Sequence, residues 1–287
     1  MAGRPLTPRP STADAHDAGA VECSRGGGIS VMGQDDRPNS FRTLTVVSDR
    51  VKLLTPMSVR TVWRSVQRLR ACPPEVGRVA FGHLRRTTPF GRKAGFDRGT
   101  PIDRVYIERF LRSYIGDIRG TVLEFGECRY TAFGQDRVVR IEVVHYEPIT
   151  KATLVCDLES DTLPVEYFDC IICTQVLQYV YNLSHAMATM RNALKPNGVL
   201  LVTAPGITGR SGGDGERPDM WRFTKESMER LASGAFGPHE VEVHSHGNVL
   251  AASAFLYGLC AEDLPHGTID VDDPTREVTV TLRAVRT

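Results

Sequence analysis

The residues of this 287-residue chain able to do chemistry fall mainly between positions 121 and 222. Glu124 and Gly126 stand in "TVLEFGE", Glu142 follows eighteen residues after Glu124, and Asp157 and Leu158 open "DLESDTLPVEYFDCIICTQ", which ends on Thr174 and Gln175. A carboxylate at the carboxyl end of a strand can accept hydrogen bonds from ligand hydroxyls, which makes Glu142 a candidate for gripping a ribose. Glu124 lies inside an apolar run, an expensive place for an unpartnered carboxylate, so it too is a candidate functional group. Gly126 permits close backbone approach. Further along, "GITGRSGGDGERPDMWRFT" is long, polar and glycine-rich, and it ends near Trp221 and Arg222, a flat apolar face beside a fork of donors suited to a sugar ring, carboxylate or phosphate. Asp219 and His185 are the candidate general bases.

Segments of Val, Ile and Leu at 121–125, 138–144, 152–156, 168–174, 198–204, 240–246 and 277–285 predict strands, and 182–194, 224–235 and about 250–260 predict helices. The alternation predicts an α/β fold with a mostly parallel sheet, whose ligands gather at the carboxyl ends of the strands. Only eleven residues, Gly126 to Asp136, join the first two strands, room for at most two helical turns. Ahead of the first strand, "TPIDRVYIERFLRSYI" carries Val105, Ile107, Phe110, Leu111 and Ile115 at helical spacing behind a Thr100-Pro101 start.

The ordered series "VLEFG", "DLESDTLPVEYFDCIICTQVLQYV" and "LKPNGVLLVTAP" resembles the class I S-adenosylmethionine-dependent methyltransferases, from roughly Gly95 to the C-terminus. The resemblance implies a Rossmann-like seven-stranded sheet with an antiparallel last strand, flanked by helices, and S-adenosylmethionine as cofactor. It also implies roles. Glu124 would hold the methionine end through the loop, Asp157 and Leu158 would meet the adenine, and Thr174 and Gln175 would face the sulfonium. The helix before the first strand would cover the crevice, making Arg98, Thr100, Asp103, Arg104 and Tyr106 lid candidates, with Arg98 and Tyr106 toward the substrate. The chain departs from the family's glycine-rich first loop: Cys128 and Tyr130 stand where the second and third glycines belong. A bacterial branch of methyltransferase-like proteins, associated with sugar, glycan or secondary-metabolite modification, shares that departure and is similar over "GFDRGTPIDRVYIERFL", "FGECRYTAFG" and "DMWRFT". The expected activity is O-methylation of a sugar or a hydroxylated or glycosylated metabolite by in-line methyl transfer. The alternative is a methyltransferase-fold binding protein that has lost its cofactor. A nicotinamide oxidoreductase is disfavoured, since neither a dinucleotide glycine fingerprint nor a Tyr-x-x-x-Lys constellation is present.

Composition narrows the rest. A net charge of +1 gives no general reason to expect nucleic acid, although Val51 to Gly120 holds 15 Lys and Arg against 5 Asp and Glu. Seven cysteines, an odd number, do not read as a disulfide framework, and the cytoplasm is the expected compartment. Cys170 and Cys173 should point to opposite faces of one strand. His244 and His246 share a strand face, with no third ligand suggested nearby, so no metal is expected. No run of about 20 apolar residues predicts a membrane span. Residues 1–45 are expected to be a disordered tail, with Met1 or Met32 as the start. Residues 46–94 form a basic helical extension in this reading, including an amphipathic stretch over 58–71, and 95–287 form the methyltransferase domain, with a homodimer conceivable.

Overall fold

The computed structural model describes residues 74–160, 162–210 and 217–287. The chain divides into two compact units, Met1–Val79 and Ala80–Thr287. The expected tail and amphipathic stretch lie outside the described residues. In the first unit, residues 74–79 form a turn in which the Arg78 amide donates to the Glu75 carbonyl at 2.9 Å. The second unit begins ahead of position 95, and its described opening at 80–94 contains one short 3-10 turn, Gly82–Arg85, rather than a longer helix.

Seven strands form one sheet in the order β3-β2-β1-β4-β5-β7-β6. They are β1 (Gly120–Phe125), β2 (Val138–His145), β3 (Leu154–Val155), β4 (Phe168–Thr174), β5 (Leu194–Pro205), β6 (Val241–His246) and β7 (Thr279–Val285). The pairs from β3 through β5 are parallel, and β7 runs antiparallel to both β5 and β6. Among the described residues, four α-helices accompany the sheet: α1 (Ile102–Ser113), α2 (Leu183–Ala193), α3 (Lys225–Phe236) and α4 (Val249–Leu256). Among the described residues, no helix is long and apolar enough to cross a membrane.

The central strands are buried on both faces, which is why β4 reads "FDCIICT" without polar alternation. On one face Leu123, Ile171, Cys173, Leu200 and Val202 pack with Met187 and Met190 of α2 and with Met228, Ala232 and Phe236 of α3. On the other, Val122, Cys170, Ile172 and Leu201 meet Ile107, Phe110 and Leu111 of α1. Cys170 and Cys173 therefore fill opposite cores, and burial pushes both thiols up, away from thiolate reactivity. Burying one such Leu or Met side chain contributes about 1.5–3 kcal/mol.

Local signals set the helix starts. Asn182 accepts from the His185 amide at 3.2 Å, and Thr224 and Ser227 cap α3 reciprocally. Asn248 accepts from the amides of Leu250 and Ala251, both at 3.0 Å, at the start of α4. Such caps are each worth about 0.5–2 kcal/mol. The short β1–β2 crossover contains only the 3-10 segment Thr131–Arg137. Without a full helix there, Val139 and Ile141 on β2 are 86% and 38% exposed.

Candidate functional site

The first strand ends in a carboxylate that organises the turn beyond it. Glu124 is 1% exposed and accepts four hydrogen bonds: from the amides of Arg129 (2.9 Å), Tyr130 (2.8 Å) and Thr131 (2.8 Å), and from the Thr131 hydroxyl (2.6 Å). Burial pushes its carboxyl upward, while the Thr131 and Arg129 donors pull it back. A carboxylate receiving successive backbone N–H groups closes the loop from beneath, so the turn keeps its shape without the missing glycines.

The two side chains in the glycine positions leave the crevice clear. Tyr130 is 2% exposed and packs into the α1 core, edge-on to Phe133 at 5.8 Å, while Cys128 is exposed at the surface. Neither lines the cleft at the sheet mouth. Gly126 does line it, with φ +85°, and a Cβ built there would meet nothing within 4 Å. The left-handed backbone requires glycine, and the space above it is open.

That cleft has a volume of about 340 Å³ and lies at the carboxyl ends of β1 to β4, within the roughly 300–1,000 Å³ range of small-molecule sites. Its apolar lining comes from Phe125, Val144, Cys156, Leu158, Val176 and Val180, and its polar groups from His145, Tyr146, Gln175, Tyr179 and Arg217. Gln175 has φ +55°, an unusual backbone for a residue with a side chain, and its buried Nε2 has no hydrogen-bond partner among the described residues. Arg217 clasps Asp157 through both guanidinium nitrogens and lies over the Tyr146 ring at 4.3 Å. The Arg217 hydrogen bonds hold the Asp157 carboxyl below its usual range.

Three of the sequence candidates, Gly126, Leu158 and Gln175, meet in this cleft, and Asp157 borders it through Arg217. Glu124 acts on it through the loop. Glu142 is a correction: β2 continues three residues further, so Glu142 lies mid-strand opposite Leu123, about 10 Å short of the edge. Its carboxylate is taken by the Arg140 guanidinium at 2.5 Å, and His145 occupies the strand end instead. Thr174 ends β4 beside Thr203 but does not line the cleft.

The remaining candidates lie elsewhere. Asp219 is held by Arg222, which also donates to the carbonyls of Thr208, Gly209 and Trp221, so this pair braces the loop after β5. Trp221 donates from Nε1 to the Val180 carbonyl at 3.0 Å and faces Tyr181 at 5.8 Å. Trp221 and Arg222 line a separate cleft between α2 and α3. His185 lies on the first turn of α2, its Nε2 3.4 Å from the Thr189 hydroxyl. Arg98 pairs bidentately with Asp263 at 2.8 and 2.9 Å, Thr100 binds Glu262, and Tyr106 is buried against His246 at 5.8 Å. Sequence reasoning missed His145, Tyr146 and Arg217. His145 was legible as the last residue of the run "VVRIEVVH"; Arg217 was not, because only the folded loop brings it to Asp157 across sixty positions.

Strand order β3-β2-β1-β4-β5-β7-β6, with β7 alone reversed and a cleft at the mouth of β1 to β4, defines the Rossmann-like methyltransferase class of fold. Residues 125–202 match the family model described as a methyltransferase domain, the segment running from the end of β1 through most of β5, and the cofactor of this class is S-adenosylmethionine. No curated protein matches the sequence. Among solved structures, the chain is similar to an S-adenosylmethionine-dependent methyltransferase from Mesorhizobium loti at 15% identity and a TM-score of 0.44, covering 67% of this chain and 100% of that one. It is also similar to a methyltransferase from Archaeoglobus fulgidus (13%, TM-score 0.42, 63% and 93% covered) and to the N-methyltransferase NodS from Bradyrhizobium japonicum WM9 (17%, TM-score 0.41, 65% and 97% covered).

The residues present fit that cofactor in part. The open space over Gly126 suits a chain passing close to backbone, and the apolar walls suit a flat purine. No carboxylate is among the described residues that line the cleft, so the ribose would meet His145 and Gln175 rather than an acid.

Proposed function

We propose that this chain is an S-adenosylmethionine-dependent methyltransferase acting on a hydroxyl oxygen of a sugar or of a hydroxylated or glycosylated metabolite. The observation that carries the cofactor part is Gly126: a left-handed glycine, open above, at the floor of an apolar cleft where the central strands end. A sulfonium makes the cofactor's methyl carbon electrophilic, which leaves the protein to orient, desolvate and accept a proton. In this reading Leu158, Val144 and Cys156 form the adenine slot, His145 and the Gln175 amide meet the ribose, and the Gly126 backbone borders the amino-acid end. The orphaned Nε2 of Gln175 supports its share, because a buried donor without a partner is costly until a ligand supplies an acceptor.

For the acceptor, support comes from Trp221, which lines the cleft between α2 and α3 with its indole beside the Tyr181 ring, two aromatic groups of the kind that pack on sugar rings. Asp219 is engaged by Arg222, so the Asp219 base assignment is not carried forward. Isothermal titration with S-adenosylhomocysteine tests the reading. Saturable heat at micromolar ligand is the expected result. Absence of heat at millimolar ligand would overturn it in favour of a binding protein that keeps only the fold.

A further inference from the structure

Away from the cleft, α1 and the outer strand β6 wall a second cavity of about 430 Å³, again within the roughly 300–1,000 Å³ range of small-molecule sites. It shares no lining residue with the cleft, and β6 stands three strand spacings, about 14 Å, beyond β4. Tyr106, Phe110 and Tyr114 come to it from one face of α1, His246 from the end of β6, and Asp270 and Asp272 from the segment leading to β7.

Tyr106 is 2% exposed, and its hydroxyl has no hydrogen-bond partner among the described residues. Burial pushes the phenol up to about 12, so it stays protonated, and the charges that act on it are those of Asp272, Arg109 and Asp270, all on the cavity wall. The hydroxyl therefore faces the cavity. Two carboxylates line it against one guanidinium. Arg109 pairs with Asp270 at 2.9 Å, and His244 is turned to Glu242 at 2.9 Å. Asp272 accepts the Gly247 amide at 2.8 Å and faces His246 Nδ1 at 3.5 Å, while His246 Nε2 lies 3.1 Å from the Thr281 hydroxyl. Burial lowers the His246 pKa, with His244 and Arg109 adding to the effect and Asp272 opposing it. With that imidazole neutral, Asp272 has no paired cation among the described residues.

A carboxylate without a counter-charge and a buried phenol oxygen without a donor are both satisfied by N–H groups that carry positive charge, and such charge-assisted bonds are about twice as strong as neutral ones. Aromatic rings attract the same kind of group through their faces. No cluster of three or more His, Cys, Asp and Glu among the described residues could hold a metal ion, which points to an organic cation. We infer that the cavity between α1 and β6 is a binding site for a small organic ammonium, whose N–H groups donate to the Asp272 carboxylate and the Tyr106 hydroxyl and whose carbon chain lies against the Phe110 and Tyr114 rings. This site does not depend on the methyltransferase reading.

The test titrates the isotope-labelled full chain with n-butylammonium chloride at constant ionic strength and follows the backbone amides by NMR, with 1-butanol and glucose as neutral probes. Butylammonium should give saturable shifts at 106–114, 244–247 and 269–272, and the neutral probes should not. Asp272→Asn, which keeps an oxygen for the Gly247 amide, should weaken butylammonium by about tenfold. Tyr106→Phe should weaken it by about threefold to tenfold while leaving the thermal midpoint unchanged, because the hydroxyl has no protein partner to lose. That second variant decides the matter if Asp272→Asn does not fold. An equal response to butanol would make the cavity an apolar pocket, and a response to glucose alone would make it a polyol site; either overturns the ammonium assignment. So does the absence of saturable shifts, unchanged affinity in either folded variant, or a lowered midpoint in Tyr106→Phe.

Discussion

Replacing Glu124 tests whether one carboxylate does the work usually given to a glycine series. Four donors converge on it at 2.6 to 2.9 Å, three of them backbone amides, of which that of Arg129 also donates to the Glu127 carbonyl at 2.9 Å. A Gln keeps one oxygen for the Arg129 and Tyr130 amides, but turns an NH2 toward the Thr131 amide, leaving one buried donor facing another. An unsatisfied buried donor costs about 1–3 kcal/mol, so Glu124→Gln should lose about 2 kcal/mol. Glu124→Ala strands the Tyr130 amide and the Thr131 amide and hydroxyl, while the Arg129 amide keeps the Glu127 carbonyl, and loop relaxation toward water keeps the loss near about 4 kcal/mol rather than the full sum. Urea unfolding with an unchanged m-value measures both losses. Amide exchange at 129–131 should accelerate before the global transition does. A Gln variant within about 0.5 kcal/mol of wild type, with those amides still protected, would refute the bracing role, since surface-like changes lie in that range.

Gly126→Ala should cost about 1–3 kcal/mol in backbone strain alone, because φ is +85° while the added Cβ meets nothing; loss of S-adenosylhomocysteine binding beyond what folding explains would show that the open space is where the cofactor passes, and unchanged affinity would show that it is not. Trp221→Ala should lower stability by about 2–3 kcal/mol through lost packing and a lost bond to Val180, read by denaturant midpoint; a change confined to acceptor KM would instead mark it as purely a substrate contact. Thr100, through its hydroxyl at 2.7 Å and its amide, holds the Glu262 carboxyl down at about 2 against 4.5 for a free one. A depressed acid contributes fully above pH 4.5 and loses its contribution as pH falls from 4.5 toward 2. Proteolysis of the 90–100 segment should therefore rise across that window in wild type but be flat and already elevated in Glu262→Gln; parallel profiles would remove Glu262 as the anchor.

Much of the architecture was legible from apolar runs. The seven strands and the helices after β4 and β5 follow from Val, Ile and Leu segments separated by Asn182 and Thr224 caps, whose local hydrogen bonds do not depend on distant residues. The opposite facing of Cys170 and Cys173 followed from strand period alone. Gly126, Leu158 and Gln175 could be placed at strand ends and are found there in the cleft. Strand ends were harder. Glu142 looked terminal because an acid is the expected hydroxyl acceptor, yet parallel pairing with β1 as far as Val144 and with β3 at His145 carries β2 further. That extension is a property of two strands, not of one segment.

The sequence by itself determined the alternation of strands and helices, the buried acid at 124 and the glycine at 126, because these rest on periodicity, desolvation and backbone freedom within a few residues. Only the tertiary structure decided which way Tyr130 turns, that Arg222 is spent on Asp219, and that Arg217 reaches Asp157. Those outcomes depend on which groups share a small volume after the chain has crossed the sheet. A side chain's partner is set by that proximity, and no local pattern encodes it.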